Sequence, residues 1–152
     1  GIFLGFITRK HADGKYHFGF YERHYFKPVK KNHYNGNVYV LTGPNSFSAA
    51  AIFARAVKGK QNIKLIGEET GGANYGNTAW FIPNVTLPET GIRFRLPKFR
   101  LVINKETEKN GRGVMPDIIV APTRSSLIQN RDLKVEKVRD IITSQAALSG
   151  NR

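Results

Sequence analysis

Apolar runs divide the first part of the chain into strand-like segments. Residues 2–9 are mostly apolar and predict a strand, and residues 12–15 contain an Asp-Gly pair that is typical of a hairpin turn. The aromatic-rich residues 16–26 predict the returning strand, which Pro28 ends. The sequence therefore predicts a β-hairpin in this region.

A nearly continuous β-prone run, residues 38–42, predicts a strand that is buried on both faces. Residues 46–59 predict a helix, because they are rich in alanine, carry apolar side chains at helical spacing and end at a glycine. Residues 63–67 predict a second buried strand. Strand, helix and strand in this order predict a βαβ unit with a parallel sheet and a right-handed crossover.

The remainder of the chain adds shorter elements. Residues 79–103 predict several short β segments, of which residues 93–96 alternate like a half-buried strand. Residues 118–120 predict a short buried strand, and residues 132–148 predict an amphipathic helix. Together these elements predict an α/β fold with a βαβ core and additional β-hairpins. A length of 152 residues fits a single domain over residues 1–152.

The charge is strongly unbalanced, because 24 Lys and Arg face 11 Asp and Glu, for a net charge of +13. Residues 1–60 hold 10 basic and 2 acidic side chains, against 14 and 9 in residues 61–152. Such an excess fits a nucleic acid, an anionic membrane surface, an acidic partner or simply a solvated basic surface. No nucleic-acid-binding motif accompanies it, so we expect a solvated surface and no nucleic-acid partner.

Several classes of protein are excluded by composition. The chain has no cysteine, which rules out disulfide scaffolds, cysteine nucleophiles and thiolate metal sites. Its longest apolar run, residues 49–54, is far shorter than the roughly 18 residues that span a bilayer. The four histidines show no metal-ligand spacing on a helix. We therefore predict no metal, no cofactor and no membrane span.

Two serines follow the first buried strand, and either could carry chemistry. Ser46 and Ser48 lie where a strand runs through a short turn into a helix. This arrangement suits a nucleophile, because the carboxyl end of the sheet and the free N–H groups of the helix meet there. It equally suits a helix cap. The two roles can also divide, with Ser46 as the cap and Ser48 as the nucleophile.

Three motifs in order carry a family resemblance. The segment Thr42-Gly43-Pro44-Asn45-Ser46-Phe47-Ser48-Ala49-Ala50 is followed by Ile66-Gly67-Glu68-Glu69-Thr70-Gly71-Gly72, and then by Gly113-Val114-Met115-Pro116-Asp117. Together they resemble the tail-specific, or C-terminal processing, serine proteases, which include tricorn-core and interphotoreceptor retinoid-binding-protein-like members. The resemblance covers about residues 38–120. It implies a ClpP/crotonase-like catalytic domain.

The resemblance also implies roles for particular residues. Ser48 matches the nucleophile, and the N–H of Ala49 would supply one oxyanion donor. The backbone of Thr70, Gly71 and Gly72 is a candidate lining of the substrate groove, and the alternative is a tight turn that needs positive φ.

The chain departs from the family pattern at three places. The lysine of the Lys-dyad branch is absent, because Ala73 follows Gly72, and Lys58, Lys60 and Lys64 do not fit that position. The glutamate that another branch carries before the third motif is replaced by the region of Asn110 and Glu108. The family segment that supplies a second oxyanion donor is also absent. We therefore expect the C-terminal part of a catalytic domain, inactive or nearly so as an isolated fragment.

The remaining candidates have both functional and structural interpretations. Glu68 and Glu69 could orient a base or bind a substrate amine, or serve as loop charges or caps. Asp117 is expected to fix a turn or pair with Arg112. Four histidines precede Ser48 and could supply a base: His11, His17, His24 and His33. Four cations near residues 93–100 could hold a peptide carboxylate or be solvated: Arg93, Arg95, Lys98 and Arg100.

Two functions from different classes compete. The first is a serine endopeptidase that hydrolyses polypeptides through an acyl-enzyme on Ser48. The second is a catalytically degenerate module of the same fold that binds a peptide or an apolar ligand. The resemblance implies a bacterial protein in the cell envelope, periplasmic or secreted. Homo-oligomerisation is a further expectation, because a partial domain exposes apolar surface.

Overall fold

The computed structural model describes residues 2–23, 31–32, 34–103 and 105–149. The chain divides into two compact units, Gly1–Asn35 and Gly36–Arg152. The single domain over residues 1–152 stays a prediction.

The first unit contains two short helices and a small hairpin. Helix α1 spans Ile2–Ile7, strands β1 and β2 span Arg9–Lys10 and Tyr16–His17, and helix α2 spans Gly19–Arg23. The two strands pair antiparallel. The predicted turn is confirmed, since the N–H of His11 donates to the carbonyl of Lys15 at 2.9 Å.

Two predictions for this unit are wrong. The apolar run 2–9 is helical over most of its length, because a short apolar run has no periodicity that separates a strand from a helix. The predicted strand 16–26 ends after His17, where α2 begins. Residues 24–26 lie outside the described residues.

The second unit is organised around a βαβ motif, which confirms that prediction. Strand β3 spans Val38–Thr42, helix α3 spans Ala49–Val57 and strand β4 spans Ile63–Gly67. Strands β3 and β4 pair in parallel along their full length, and β9, Ile118–Ile119, pairs in parallel with the end of β4. The sheet order is β3-β4-β9. Helix α3 begins three residues later than predicted, so both Ser46 and Ser48 precede its first residue.

The core lies between α3 and β4. Ala54, Leu65 and Val114 are almost completely buried and pack with Val40, Val57 and Ile63. Burial on both faces is correct for the central strand β4, where Leu65 and Ile66 have no exposed surface. It is wrong for β3 and β9, since Leu41 is 42% exposed and Ile119 is 70% exposed. These two strands are the outer strands of the described sheet.

Short antiparallel pairs and a further helix complete the second unit. Strand β5, Gly76–Asn77, pairs with β8, Leu101–Val102, and β6, Asn84–Thr86, forms a hairpin with β7, Arg93–Arg95. All three residues of β7 are exposed, so the predicted half-buried alternation is wrong. Helix α4, Arg124–Ile128, was not predicted. It is stabilised by a capping box between Thr123 and Ser126.

The predicted C-terminal helix is confirmed as α5, Leu133–Ser149, and it runs antiparallel to β3. Near its start, Lys134 donates to the carbonyl of Thr42 at the end of β3. Eleven residues later, Gln145 accepts from Asn37 and Tyr39 at the start of β3. Eleven helical residues rise about 16 Å, which matches the five-residue step from Asn37 to Thr42 in a strand. No helix among the described residues is long and apolar enough to cross a bilayer.

Asp117 joins β9 to the core and makes a testable contribution to stability. Its Oδ2 accepts from the N–H of Leu65 at 2.8 Å and its Oδ1 accepts from Nζ of Lys58 at 3.0 Å. The predicted pairing with Arg112 is wrong. Burial alone would raise the pKa of Asp117, but the hydrogen bond from Leu65 and the Lys58 ammonium outweigh it and hold the pKa below its usual range.

We expect Asp117→Asn to lower the free energy of unfolding by about 2 kcal/mol at pH 7, because a charged hydrogen-bond acceptor is lost. Since the folded pKa is depressed, this contribution is full above the ordinary aspartate pKa and disappears as pH falls through the folded value. Urea unfolding at pH 7 and at pH 2 should show the difference between wild type and variant shrinking in acid. An equal difference at both pH values would contradict this account.

Candidate active site

Ser48 lies at the end of the turn that joins β3 to α3. After β3, the N–H of Ser46 donates to the carbonyl of Gly43 at 2.8 Å, and the Ser46 hydroxyl accepts from the N–H of Gly43 at 3.2 Å. These bonds close the turn two residues before Ser48. The carboxyl end of the parallel sheet and the first turn of the helix therefore meet at Ser48, as in other open α/β sheets that bind ligands.

The backbone of Ser48 is strained. Its φ is 49° and its ψ is −119°, in a region that favours glycine. Holding a non-glycine residue there costs on the order of 1–3 kcal/mol, and such strain concentrates at functional sites. Ser48 occupies the N-cap position, but its side chain makes no capping hydrogen bond. The Ser46 hydroxyl bonds within the preceding turn, so the structure supports the helix-cap alternative for neither serine.

The first turn of α3 leaves an N–H group available beside Ser48. The N–H of Ala50 donates to Phe47 and that of Ile52 donates to Ser48. In the described part of the second unit, the N–H of Ala49 donates to no acceptor. Unpaired amides at a helix N-terminus can stabilise developing negative charge. An unpaired N–H at Ala49 is compatible with an oxyanion donor, and that role stays a prediction.

Gly71 and Gly72 pack directly against this turn. The N–H of Gly72 donates to the carbonyl of Ser46 at 3.0 Å. A Cβ on Gly72 would lie 2.6 Å from Cβ of Ala51 and 3.2 Å from the backbone nitrogen of Ser48. Neither glycine has a positive φ. The alternative of a turn that needs positive φ is therefore wrong, and glycine is required because two backbone segments approach closely.

Thr70 is a structural link rather than an exposed groove residue. It is 3% exposed, and its hydroxyl donates to the carbonyl of Gly72 at 2.7 Å. The same oxygen accepts from the N–H of Val114 at 2.8 Å, and the two backbones are joined by a further bond. Thr70 thus holds the second and third motifs together, and its side chain is not available to a substrate.

Glu69 pairs with Arg112 across the same two motifs. Both carboxylate oxygens accept from the guanidinium, at 2.9 and 2.6 Å, and Oε1 also accepts from the N–H of Gly113 at 2.7 Å. The hydrogen bond from the Gly113 N–H, and next to it the hydrogen bond from Arg112, hold the pKa of Glu69 below its usual range. This fixed pair occupies both oxygens, which does not favour Glu69 as the partner of a catalytic base.

Glu68 contacts α5 at the carboxyl end of the sheet. Its Oε2 lies 3.2 Å from Nζ of Lys134, which also donates to the carbonyl of Thr42 at 3.3 Å. An open groove of about 470 Å³ is lined by this pair and by the turn that leads to Ser48. Glu68 therefore lies beside a groove whose lining does not include Ser48. It precedes Gly71, which packs against the turn before Ser48, by three positions.

The structure leaves the general base unassigned. Within the described part of the second unit, no side chain is hydrogen-bonded to Oγ of Ser48. Lys58 is bound to Asp117 and Lys134 to Glu68. His24 and His33 lie outside the described residues, and His11 and His17 belong to the first unit. Among the described residues, the group that could hold a metal ion is His11, His17 and Glu22, also in that unit.

A strand, a sharp turn and a helix that hold an exposed, strained serine form the arrangement in which α/β hydrolases present a nucleophile. The chain matches the model of peptidase family S41 over residues 6–120, and it belongs to that family. No curated protein matches it. The resemblance to tail-specific proteases is thus confirmed at the level of the family, and it supports a serine-peptidase type of domain.

Proposed function

We propose that the protein is a serine endopeptidase domain of ClpP/crotonase-like fold that hydrolyses polypeptides through an acyl-enzyme on Ser48. The observation that carries the proposal is the strained backbone of the exposed residue Ser48 in a member of a peptidase family. Strain of this kind is retained when the geometry serves function. The proposal places the protein in the tricorn-core and retinoid-binding-like branch, on the resemblance of its three motifs.

The proposed chemistry begins with attack of Ser48 Oγ on a peptide carbonyl. The N–H of Ala49 donates to the oxyanion that forms, and water then releases the acyl group. The backbone of Gly71 and Gly72 borders the substrate groove. Because no described side chain of the second unit activates Oγ, we expect low turnover unless a base outside the described residues reaches it.

A fluorophosphonate probe, followed by mass spectrometry of the adduct, tests the proposal directly. We expect one adduct, located on Ser48, which disappears in Ser48→Ala and persists in Ser46→Ala. The Ser46 variant is the matched control, because it removes a hydroxyl from the same turn. A folded protein that is never labelled, or is labelled equally in Ser48→Ala, would refute an activated serine at this position.

Stability gives a second readout of the same site. We expect the free energy of unfolding of Ser48→Gly to be about 1 kcal/mol higher than that of Ser48→Ala, because glycine adopts the positive φ without strain. Both variants lack the hydroxyl, so their difference isolates the backbone. Equal stabilities by urea unfolding would show that the turn relaxes in solution.

A binding module of the same fold is the second candidate. The observation that favours it is the absence of a hydrogen-bonded base at Ser48 within the described second unit. Such a module would bind a peptide or an apolar ligand equally well after Ser48→Ala, and it would not be labelled by the probe. Peptide binding measured by fluorescence anisotropy on both variants separates the two functions.

The setting of the protein is part of the proposal. We place it in the cell envelope, periplasmic or secreted, of a bacterium, on the resemblance to tail-specific proteases alone. Self-association is proposed from the exposed aromatic side chains of the β6–β7 region, among them Trp80, Phe81 and Phe94. Cell fractionation and light scattering of the purified protein test these two statements.

A further inference from the structure

The few acidic residues of the first 60 positions converge on one histidine. That stretch holds 10 Lys and Arg but only two carboxylates, Asp13 and Glu22. Oε1 of Glu22 lies 2.6 Å from Nδ1 of His17, and Oδ2 of Asp13 lies 3.0 Å from its Nε2. Here both contact the two nitrogens of a single imidazole.

A second imidazole completes the cluster. The ring of His11 stacks on that of His17, with centroids 4.1 Å apart and planes inclined by 14°. One donor atom from each of His11, His17 and Glu22 lies within 4.8 Å of the others. The hairpin turn positions these groups, because the N–H of His11 donates to the carbonyl of Lys15. Part of the side chains of His17 and Glu22 remains accessible, 22% and 31% respectively.

We propose that His11, His17 and Glu22 bind one zinc ion, with Asp13 as the residue that orients His17. Two imidazoles and a carboxylate are a ligand set that zinc prefers, and the fourth position would be left to water. In this arrangement Nδ1 of His17, which faces Glu22, is the ligand. Its Nε2–H donates to Asp13, the carboxylate–histidine contact that fixes the tautomer and raises ligand basicity.

The rearrangement that zinc requires is confined to side chains. Ligands about 2.0–2.1 Å from a tetrahedral zinc stand about 3.3 Å apart. The separation between Nδ1 of His17 and Oε1 of Glu22, now 2.6 Å, must therefore grow, and the carboxylate must also move aside because Oε1 lies where the zinc would bind. A metal ion lies in the plane of each imidazole that binds it, so the ring of His11 must turn out of the stack. His11 is exposed, and its ring can rotate without displacing buried atoms.

The charge balance favours a divalent cation over an anion at this position. Two neutral imidazoles with Glu22 and Asp13 carry two negative charges, which a zinc ion neutralises. The competing occupant is a proton on His17 held between the two carboxylates. A proton would use the same contacts of His17 with Asp13 and Glu22, but it would not need His11. Substitution of His11 therefore distinguishes the zinc ion from the proton.

The experiment is a zinc titration of the untagged, chelator-treated protein by isothermal calorimetry, repeated with cobalt and read by visible absorption. We expect one site with micromolar or tighter affinity. His17→Gln and His11→Gln should weaken it at least 100-fold, and Asp13→Asn by about 10–100-fold. Glu22→Gln, which is nearly isosteric, should weaken it and shift the cobalt spectrum. Glu89→Gln, an exposed carboxylate in the β6–β7 turn, is the matched control and should have no effect.

Several outcomes would overturn the proposal. Absence of saturable binding in the folded wild type is one, and unchanged affinity in His11→Gln is another, because it would leave the proton as the occupant. Binding that is lost in His33→Gln but kept in His17→Gln would place the metal elsewhere. Circular dichroism of each variant identifies loss of folding. If His17→Gln does not fold, the Glu22→Gln and His11→Gln titrations decide the question.

Discussion

Gly71→Ala should lower the free energy of unfolding by about 3 kcal/mol and should remove most of the fluorophosphonate labelling at Ser48. The added Cβ would lie 2.1 Å from the carbonyl oxygen of Pro44 and 2.5 Å from the ring of Phe47. The Phe47 ring is 57% exposed and can swing into solvent. The carbonyl of Pro44 belongs to the turn that carries Ser48, so the overlap is relieved only when that turn moves.

The measurement combines urea unfolding with the rate of fluorophosphonate labelling. Gly5→Ala is a suitable control, because a Cβ there meets nothing within 4 Å and the residue lies in helix α1. Alanine is favoured over glycine in a helix by about 1 kcal/mol, so this variant should be neutral or slightly more stable. If Gly71→Ala keeps the stability and the labelling of the wild type, the packing of Gly71 does not constrain the turn that carries Ser48.

The βαβ unit and the position of Ser48 could be predicted from the sequence because their signals are local. Residues 38–42 and 63–67 are strongly apolar, and the segment between them is rich in alanine and ends at Gly59. Each element is therefore specified by its own residues. The strain at Ser48 follows from the same short connection, although its dihedral angles were not foreseeable from residue types.

The contacts that hold the motifs together could not be predicted in the same way. Glu69 and Arg112 are separated by 43 positions, and the chain offers 24 basic side chains as partners. Which of them meets Glu69 depends on the register of the completed fold. The hydrogen bond from the Gly113 N–H to Glu69 could not be predicted either, because every residue except proline has such a backbone donor. The sequence predicts that Asp117 fixes a turn or pairs with Arg112, whereas the structure pairs it with Lys58.

The ambiguity at residues 2–9 has a different physical origin. A mostly apolar segment of about eight residues is long enough for a strand and for two helical turns, and neither period is visible in it. The short helix Arg124–Ile128 was missed because its signal is a cap formed by Thr123 and Ser126 and not an apolar stripe. Short elements are thus decided by a few hydrogen bonds, which composition does not reveal.

Lys134→Met should detach α5 from the end of the sheet and loosen the turn before Ser48. Nζ of Lys134 donates to the carbonyl of Thr42 and to Glu68, and it would lie 3.0 Å from a Cβ on Gly43. The ammonium thus sits against the first residue of the nucleophile turn. Methionine keeps the apolar part of the side chain but removes both charged hydrogen bonds, which should lower the free energy of unfolding by about 1–3 kcal/mol.

The informative readout is local, because a loss of stability alone would follow from many substitutions. Hydrogen exchange should become faster in residues 43–48 of Lys134→Met, and labelling of Ser48 should slow. Lys137→Met is the matched control, since it removes an exposed ammonium from the same helix one turn away and should change neither quantity. Helix α5 lies beyond residues 6–120 that match the family, so an effect confined to Lys134 would show that this added helix contributes to the geometry of the turn. Identical exchange in both variants would mean that Lys134 does not contribute to the rigidity of the turn.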